Sequence, residues 1–294
     1  GHILTAFDKE LKRPLNIPNL RALGMGNIQG VAGGKIAVEN PIGCYGKMSE
    51  LSTGKDTTTG HWEIGGIKTE VPFKTYPEGF PKEFMEAFEK EIGVECIGNY
   101  PASGTTIIEE LGPEHEATGK PIVYTSADSV FQIAANIDIV PLERLYEICQ
   151  IARRLLVGDW ACGRVIARPF VGTEGNYKRT ENRHDFSLTP PKMTAMDAIG
   201  ESDLDVISVG KIYDIFSGAG IKRGLPTHNN AEGMQALLEV QKSDFNGLCF
   251  ANLVDFDMLF GHRQNIDGYA EALSAFDAWL PKFLSGMAEN DVLM

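Results

Sequence analysis

The sequence predicts an α/β protein in which a larger core carries an inserted, smaller α/β domain. Apolar runs of strand length alternate with stretches of helical periodicity, as at residues 121–125, 141–156 and 163–167. The composition shifts near residue 74 into a self-contained series of helices and strands that closes near residue 190. Acidic residues also follow the apolar run at 248–254, at the carboxyl end of a predicted strand, where open α/β sheets place their ligand sites.

Bulk properties narrow the function classes. With 294 residues, 43% of them hydrophobic, the chain can build real cores. A formal charge of -13 argues against a nucleic-acid surface, so an anionic substrate needs a local basic or metal-rich site. Cys44, Cys96, Cys149, Cys162 and Cys249 are odd in number and widely separated, and read as buried free thiols of a reducing, cytoplasmic compartment. No apolar stretch reaches the ~18 residues of a membrane helix, and no signal-peptide pattern opens the chain.

Taken in order, residues 4–11 have a helical pattern that Pro14 and Pro18 break before a short helix at 20–23. Short strands at 35–38 and 43–48 then feed the stretch STGKDTTTGHWEIGG at 52–66. Here Thr57, Thr58 and Thr59 precede a helix predicted to begin at His61, where a hydroxyl faces an anion-binding helix end. A Thr hydroxyl needs a base or metal to act as nucleophile; the alternative is a Thr-rich cap beside a solvated Lys55-Asp56 pair. Residues 71–77 read as an extended exit.

The inserted domain, 74–190, reads as helix 81–92 with Phe84, Phe88 and Ile92 on one face, strand 94–97, helix 105–111, strand 121–125, helix 141–156 and strand 163–167. Ser126 and Asp128 follow a strand, and Arg164 and Ile166 lie in one. Asp suits sugar hydroxyls and a guanidinium suits phosphate, whereas the alternative for Ser126 and Asp128 is helix capping before the 130–135 run. Arg168, Arg183 and His184 are weaker candidates.

From residue 190 the chain returns to the core, residues 1–73 and 191–294. Strand 205–209 ends in Gly210-Lys211, a Lys placed to reach a phosphate or simply solvated. Helix 230–242 and strand 247–254 follow, then helix 267–284, which Pro281 is expected to kink or end, and a strand opening at 291–294. Asp257 and His262, five residues apart past the strand, can face one ion and suit zinc, manganese or iron; the alternative is a capping Asp and a surface His.

Six segments, GKDTTTGHWE (54–63), GNYPASGT (98–105), YTSADSVFQIAA (124–135), GRVIARPFVG (163–172), NRHDFSLTPP (182–191) and LVDFDMLFGHR (253–263), resemble the phosphopentomutases, members of the alkaline phosphatase-like metalloenzymes. The resemblance implies an alkaline phosphatase-like core with a substrate-binding cap. It implies Thr57 as the phosphorylated nucleophile and Asp257, His262 and the Thr57 hydroxyl as ligands of two divalent ions, manganese by resemblance. Ser126, Asp128, Arg164, Ile166 and Lys211 would hold a pentose phosphate, with a bisphosphate as intermediate and activator. A cytoplasmic monomer, without nucleic-acid or membrane partners, is the expected state. The family's DTxGHI stretch matches only from Gly1 and its ADHG segment lies beyond Met294, so the chain reads as short of core segments at both ends. Two other readings follow: a non-catalytic fragment that at most binds ligand, and a related phosphoglycerate mutase or phosphatase, against which the cap motifs argue.

Overall fold

The computed structural model describes residues 15–31 and 36–294; the helix expected at 4–11, and Lys35 of the strand expected at 35–38, lie outside the described residues. In chain order the described helices are α1 (Pro18–Ala22), α2 (Thr57–Ile64), α3 (Lys82–Ile92), α4 (Gly104–Thr118), α5 (Leu142–Leu155), α6 (Ala195–Glu201), α7 (Ile212–Ile215), α8 (Asn230–Lys242) and α9 (Ile266–Leu284). The strands are β1 (Ile97–Pro101), β2 (Ile122–Thr125), β3 (Val130–Asn136), β4 (Arg164–Val171), β5 (Lys178–Arg179), β6 (His184–Ser187), β7 (Asp205–Val209), β8 (Arg223–Leu225) and β9 (Gly247–Ala251). They form two compact units, one of residues 51–195 and 214–219, the other of the remaining described residues. The α/β class is as expected, with parallel and antiparallel pairing in one sheet and parallel pairing in the other.

In the first unit the sheet runs β1-β2-β3-β4-β5, with β6 also on β4. All seven residues of β3 are buried, because helices cover both faces of the sheet. On one face α3 and α5 bring Phe84, Phe88, Leu145 and Ile148 against Phe131, Ile133 and Val165. Pro81 and Pro141 cap these two helices, where the missing N–H and fixed φ cost nothing. On the other face Ile107 and Ile108 of α4 pack on Ile122, Tyr124, Ala134 and Phe170.

Several boundaries differ from the sequence reading. β1 starts at Ile97 rather than residue 94, because the Cys96 amide donates to the Glu89 carboxylate (2.9 Å) instead of entering the ladder. α4 continues through Pro113 to Thr118: burial of Gly112 and His115 outweighs one lost helical bond. The 130–135 run is a strand, which removes helix capping as the role of Ser126 and Asp128. β5 and β6 were not anticipated; both are short and polar and carry little periodicity. Residues 51–73 cluster with this unit, whereas the sequence reading grouped them with the core. Trp62 packs on Phe73 (5.6 Å between ring centres), and the Gly65 carbonyl accepts from the Ala195 amide (2.8 Å).

In the second unit the parallel strands run β8-β7-β9. Ile207 and Val209 of β7 pack with Val240 of α8. β9 stops at Ala251, three residues short of expectation, and after one further bond from the Asn252 amide to the Val209 carbonyl (3.0 Å) the chain turns into a π-helix, Phe256–Gly261. α9 runs through Pro281 to Leu284. Its buried Asp277 accepts from the amides of Asn19 and Leu20 at 3.2 and 2.7 Å and so caps α1. Residues 43–48 and 291–294 are not strands: among the described residues no strand pairs with them, and Met48 and Met294 are exposed. Cys44 is exposed and Cys96 and Cys249 are only partly buried, against the expectation of five buried thiols; Cys149 and Cys162 are buried.

Candidate functional site

The Thr-rich turn begins a helix earlier than expected, at Thr57 rather than His61, because Asp56 is the cap. Its carboxylate accepts from the Thr59 amide at 2.9 Å and from the Thr59 hydroxyl at 2.7 Å. The D-x-x-T spacing could have given this away. Thr58 and Thr59 are buried, so Thr57, at the first helical position, is the exposed hydroxyl of the three. Gly54 lets the preceding loop lie against Thr59, whose hydroxyl a Cβ there would strike. Glu63, one turn further on, accepts from the amides of Leu51 and Ser52 at 2.8 and 2.7 Å and fixes the loop that leads into the turn. The Ser52 hydroxyl and these amides hold its carboxyl below the usual range. His61 places Nδ1 at 2.8 Å from the Thr57 carbonyl, and burial keeps its imidazole less basic than usual.

In the other unit, Lys211 and Asp257 lie past the carboxyl ends of β7 and β9, as the strand-end rule predicts. Gly210 (φ 80°) turns the chain close to the Asn252 carbonyl, where a Cβ could not fit. The Lys211 ammonium meets the Met258 sulfur of the π-helix, so both strand ends share one region. His262 Nε2 is 3.4 Å from Asp257 Oδ2, with both side chains about 70% exposed. Carboxylate oxygen and imidazole nitrogen fit a divalent ion in kind, and they fill two of the roughly four to six positions such an ion takes. Among the described residues no group of three or more His, Cys, Asp or Glu is placed to hold a metal ion. The neighbouring Asp255 is structural, exchanging hydrogen bonds of 2.8 and 2.9 Å with buried Asn230 at the start of α8.

Ser126, Asp128, Arg164 and Ile166 all belong to the first unit. Arg164 is 3.9 Å from Asp128 and 3.3 Å from Asp185, so two of the four are joined. Ile166 pairs with Gln132 and Asp185 and is only 2% exposed. The sequence reading missed Asp185, which also takes two bonds from Arg183, at 2.8 and 2.9 Å. Its signal lay in the NRHDF segment, but no local pattern names a partner 21 residues away. Thr57 stands in one unit and Asp257, His262 and Lys211 in the other.

A family model described as the metalloenzyme superfamily matches residues 4–294. A phosphopentomutase of Carboxydothermus hydrogenoformans is 55% identical over 95% of this chain and 71% of its own length. One of Acetivibrio thermocellus is 54% identical over 95% and 72%, and one of Caldanaerobacter subterraneus subsp. tengcongensis 55% over 100% and 73%. At this identity and coverage, with a metalloenzyme match along nearly the whole chain, the chain belongs to the phosphopentomutase family.

Proposed function

We propose that the protein moves a phosphoryl group between the 1- and 5-positions of ribose or deoxyribose, with Thr57 as the phosphorylated residue. The observation that carries this is the exposure of Thr57 alone among three threonines, at the start of a helix whose cap is already met by Asp56 and Thr59. First-turn amides and the helix dipole favour a phosphate there. Asp56 and Glu63 position the turn, so the hydroxyl is presented without searching rotamers of the backbone around it. Ser126, Asp128 and Arg164 orient the sugar phosphate in a cap of residues 74–190, with Ile166 beneath them and Lys211 supplying further positive charge. A sugar bisphosphate is both intermediate and activator, since returning one phosphate to Thr57 leaves the other on the sugar.

The cofactor in this reading is a pair of divalent ions, manganese, with Asp257, His262 and the Thr57 oxygen among the donors. Such ions supply charge neutralisation at phosphoryl oxygens. The working form is a cytoplasmic monomer; among the described residues no helix is long and apolar enough to cross a membrane. The test is turnover of ribose 5-phosphate against 3-phosphoglycerate by the chain and its Thr57→Ala variant. The expected result is turnover of the pentose phosphate, lost in the variant while its circular dichroism is unchanged. A variant that keeps most activity would remove Thr57 from the mechanism.

A further inference from the structure

One buried hydroxyl in the first unit ties together three stretches of chain that are far apart in sequence. Ser129 is 7% exposed and sits between Asp128 and the start of β3. Its hydroxyl donates to the Lys74 carbonyl at 2.5 Å and accepts from the Gly163 amide at 3.0 Å. Its own carbonyl accepts from the Arg164 amide at 3.2 Å, just before the β3–β4 ladder begins at Val130 and Arg164. The Cys162 thiol donates to the Arg164 carbonyl at 3.3 Å, so the backbone of Arg164 is held on both sides. Asp128 and Arg164, whose side chains are 3.9 Å apart, are thus each next in sequence to a residue of this junction.

The third stretch leads back to the Thr57 turn. Lys74 directly follows Phe73, whose ring packs on Trp62 of α2. A Cβ on Gly163 would stand 3.2 Å from the Ser129 carbonyl oxygen and 3.4 Å from the Phe73 ring, so the three stretches close tightly on one another at that glycine. The Lys74 ammonium donates to the Asp159 carbonyl at 2.5 Å and fastens the same residue from its other end. All of these residues belong to one unit.

We propose that Ser129 is a positioning residue, which sets the Asp128 and Arg164 pair at a fixed place relative to α2 and its Thr57 hydroxyl. The use of that pair for a sugar rests on the function proposed above. Ser129 acts through its two partners: an alanine leaves the buried Gly163 amide without its acceptor and releases the Lys74 carbonyl. Groups held on such supports orient a substrate without a search through their own conformations.

Ser129→Ala and Ser129→Thr, made in the whole chain, test this with two readouts. Without ligand, amide hydrogen exchange in the Ala variant is expected to speed about tenfold at Asp128, Gly163 and Arg164, with Ile133 and Ala134 in β3 unchanged. In calorimetric titration with ribose 5-phosphate, Kd is expected to rise about tenfold in the Ala variant and to return toward the unmodified value in the Thr variant, which keeps the hydroxyl. Asp128→Ala is expected to bind the sugar phosphate as weakly as Asp128→Ala with Ser129→Ala, since a residue that acts through Asp128 adds nothing once Asp128 is gone. Faster exchange confined to Gly163, or losses that add in the double variant, would overturn the proposal. An unmodified chain that binds no ribose 5-phosphate would count against the mutase function, and the exchange rates would then decide the positioning role by themselves.

Discussion

Asp56 shows how one carboxylate decides what its neighbours can do. By taking the amide and hydroxyl of Thr59 it starts α2 at Thr57 and leaves that hydroxyl outward. Asp56→Ala is expected to cost about 1 kcal/mol, the usual worth of a lost cap, and to slow turnover through a loosened turn. Urea denaturation compared with kcat checks it, and an unchanged midpoint would mean that Asp56 does not cap. The sequence reading took Asp56 for a solvated partner of Lys55 beside a Thr cap, although its capping partner is only three residues away. Asp277 was beyond any local reading, since its partners lie 257 and 258 positions away.

At the scale of elements, periodicity placed α3, α5, α8, β2 and β7 within a residue or two, because each has one buried face or a wholly buried run. It failed where long-range pairing decides. β5 and β6 exist because β4 offers them an edge, and residues 43–48 lack such an edge among the described residues. The candidate site was legible as separate clusters, but the Asp185 link between Arg164 and Arg183 was not. α4 owes its length to His115, fully buried, whose Nδ1 meets the Lys120 carbonyl at 2.7 Å while Nε2 accepts from the Asn136 amide at 2.9 Å. That pattern requires the neutral ring, and burial lowers its pKa below the ordinary 6.5. The unfolded chain therefore binds the proton more tightly. The stabilisation is complete above about pH 6.5 and is lost as pH falls below it, toward the lowered native value. Tm measured from pH 7.5 to 5.5 is expected to fall more steeply in the unmodified protein than in His115→Gln. Parallel curves would show that His115 does not contribute.

For the molecule as a whole, burial is uneven between the units. β3 is buried throughout, while β9 has no fully buried residue. Hydrogen exchange is expected to be slowest at β2, β3 and β4 and at least about tenfold faster across β8 and β9, since local opening follows burial and contact. Equal protection in the two sheets would contradict this.

The Asp277 cap has a consequence for the order in which the chain acquires its shape during synthesis. α1 has five residues, too few to persist as an isolated helix, and its amides are met by a carboxylate made more than 250 positions later. Residues 51–195, nearly the whole of one unit, leave the ribosome before α9 exists. That unit can complete its core while the polypeptide is still growing. The segment around Pro18 leaves the ribosome long before Asp277 and must stay uncommitted until that carboxylate arrives, so α1 is among the last of the described elements to fold.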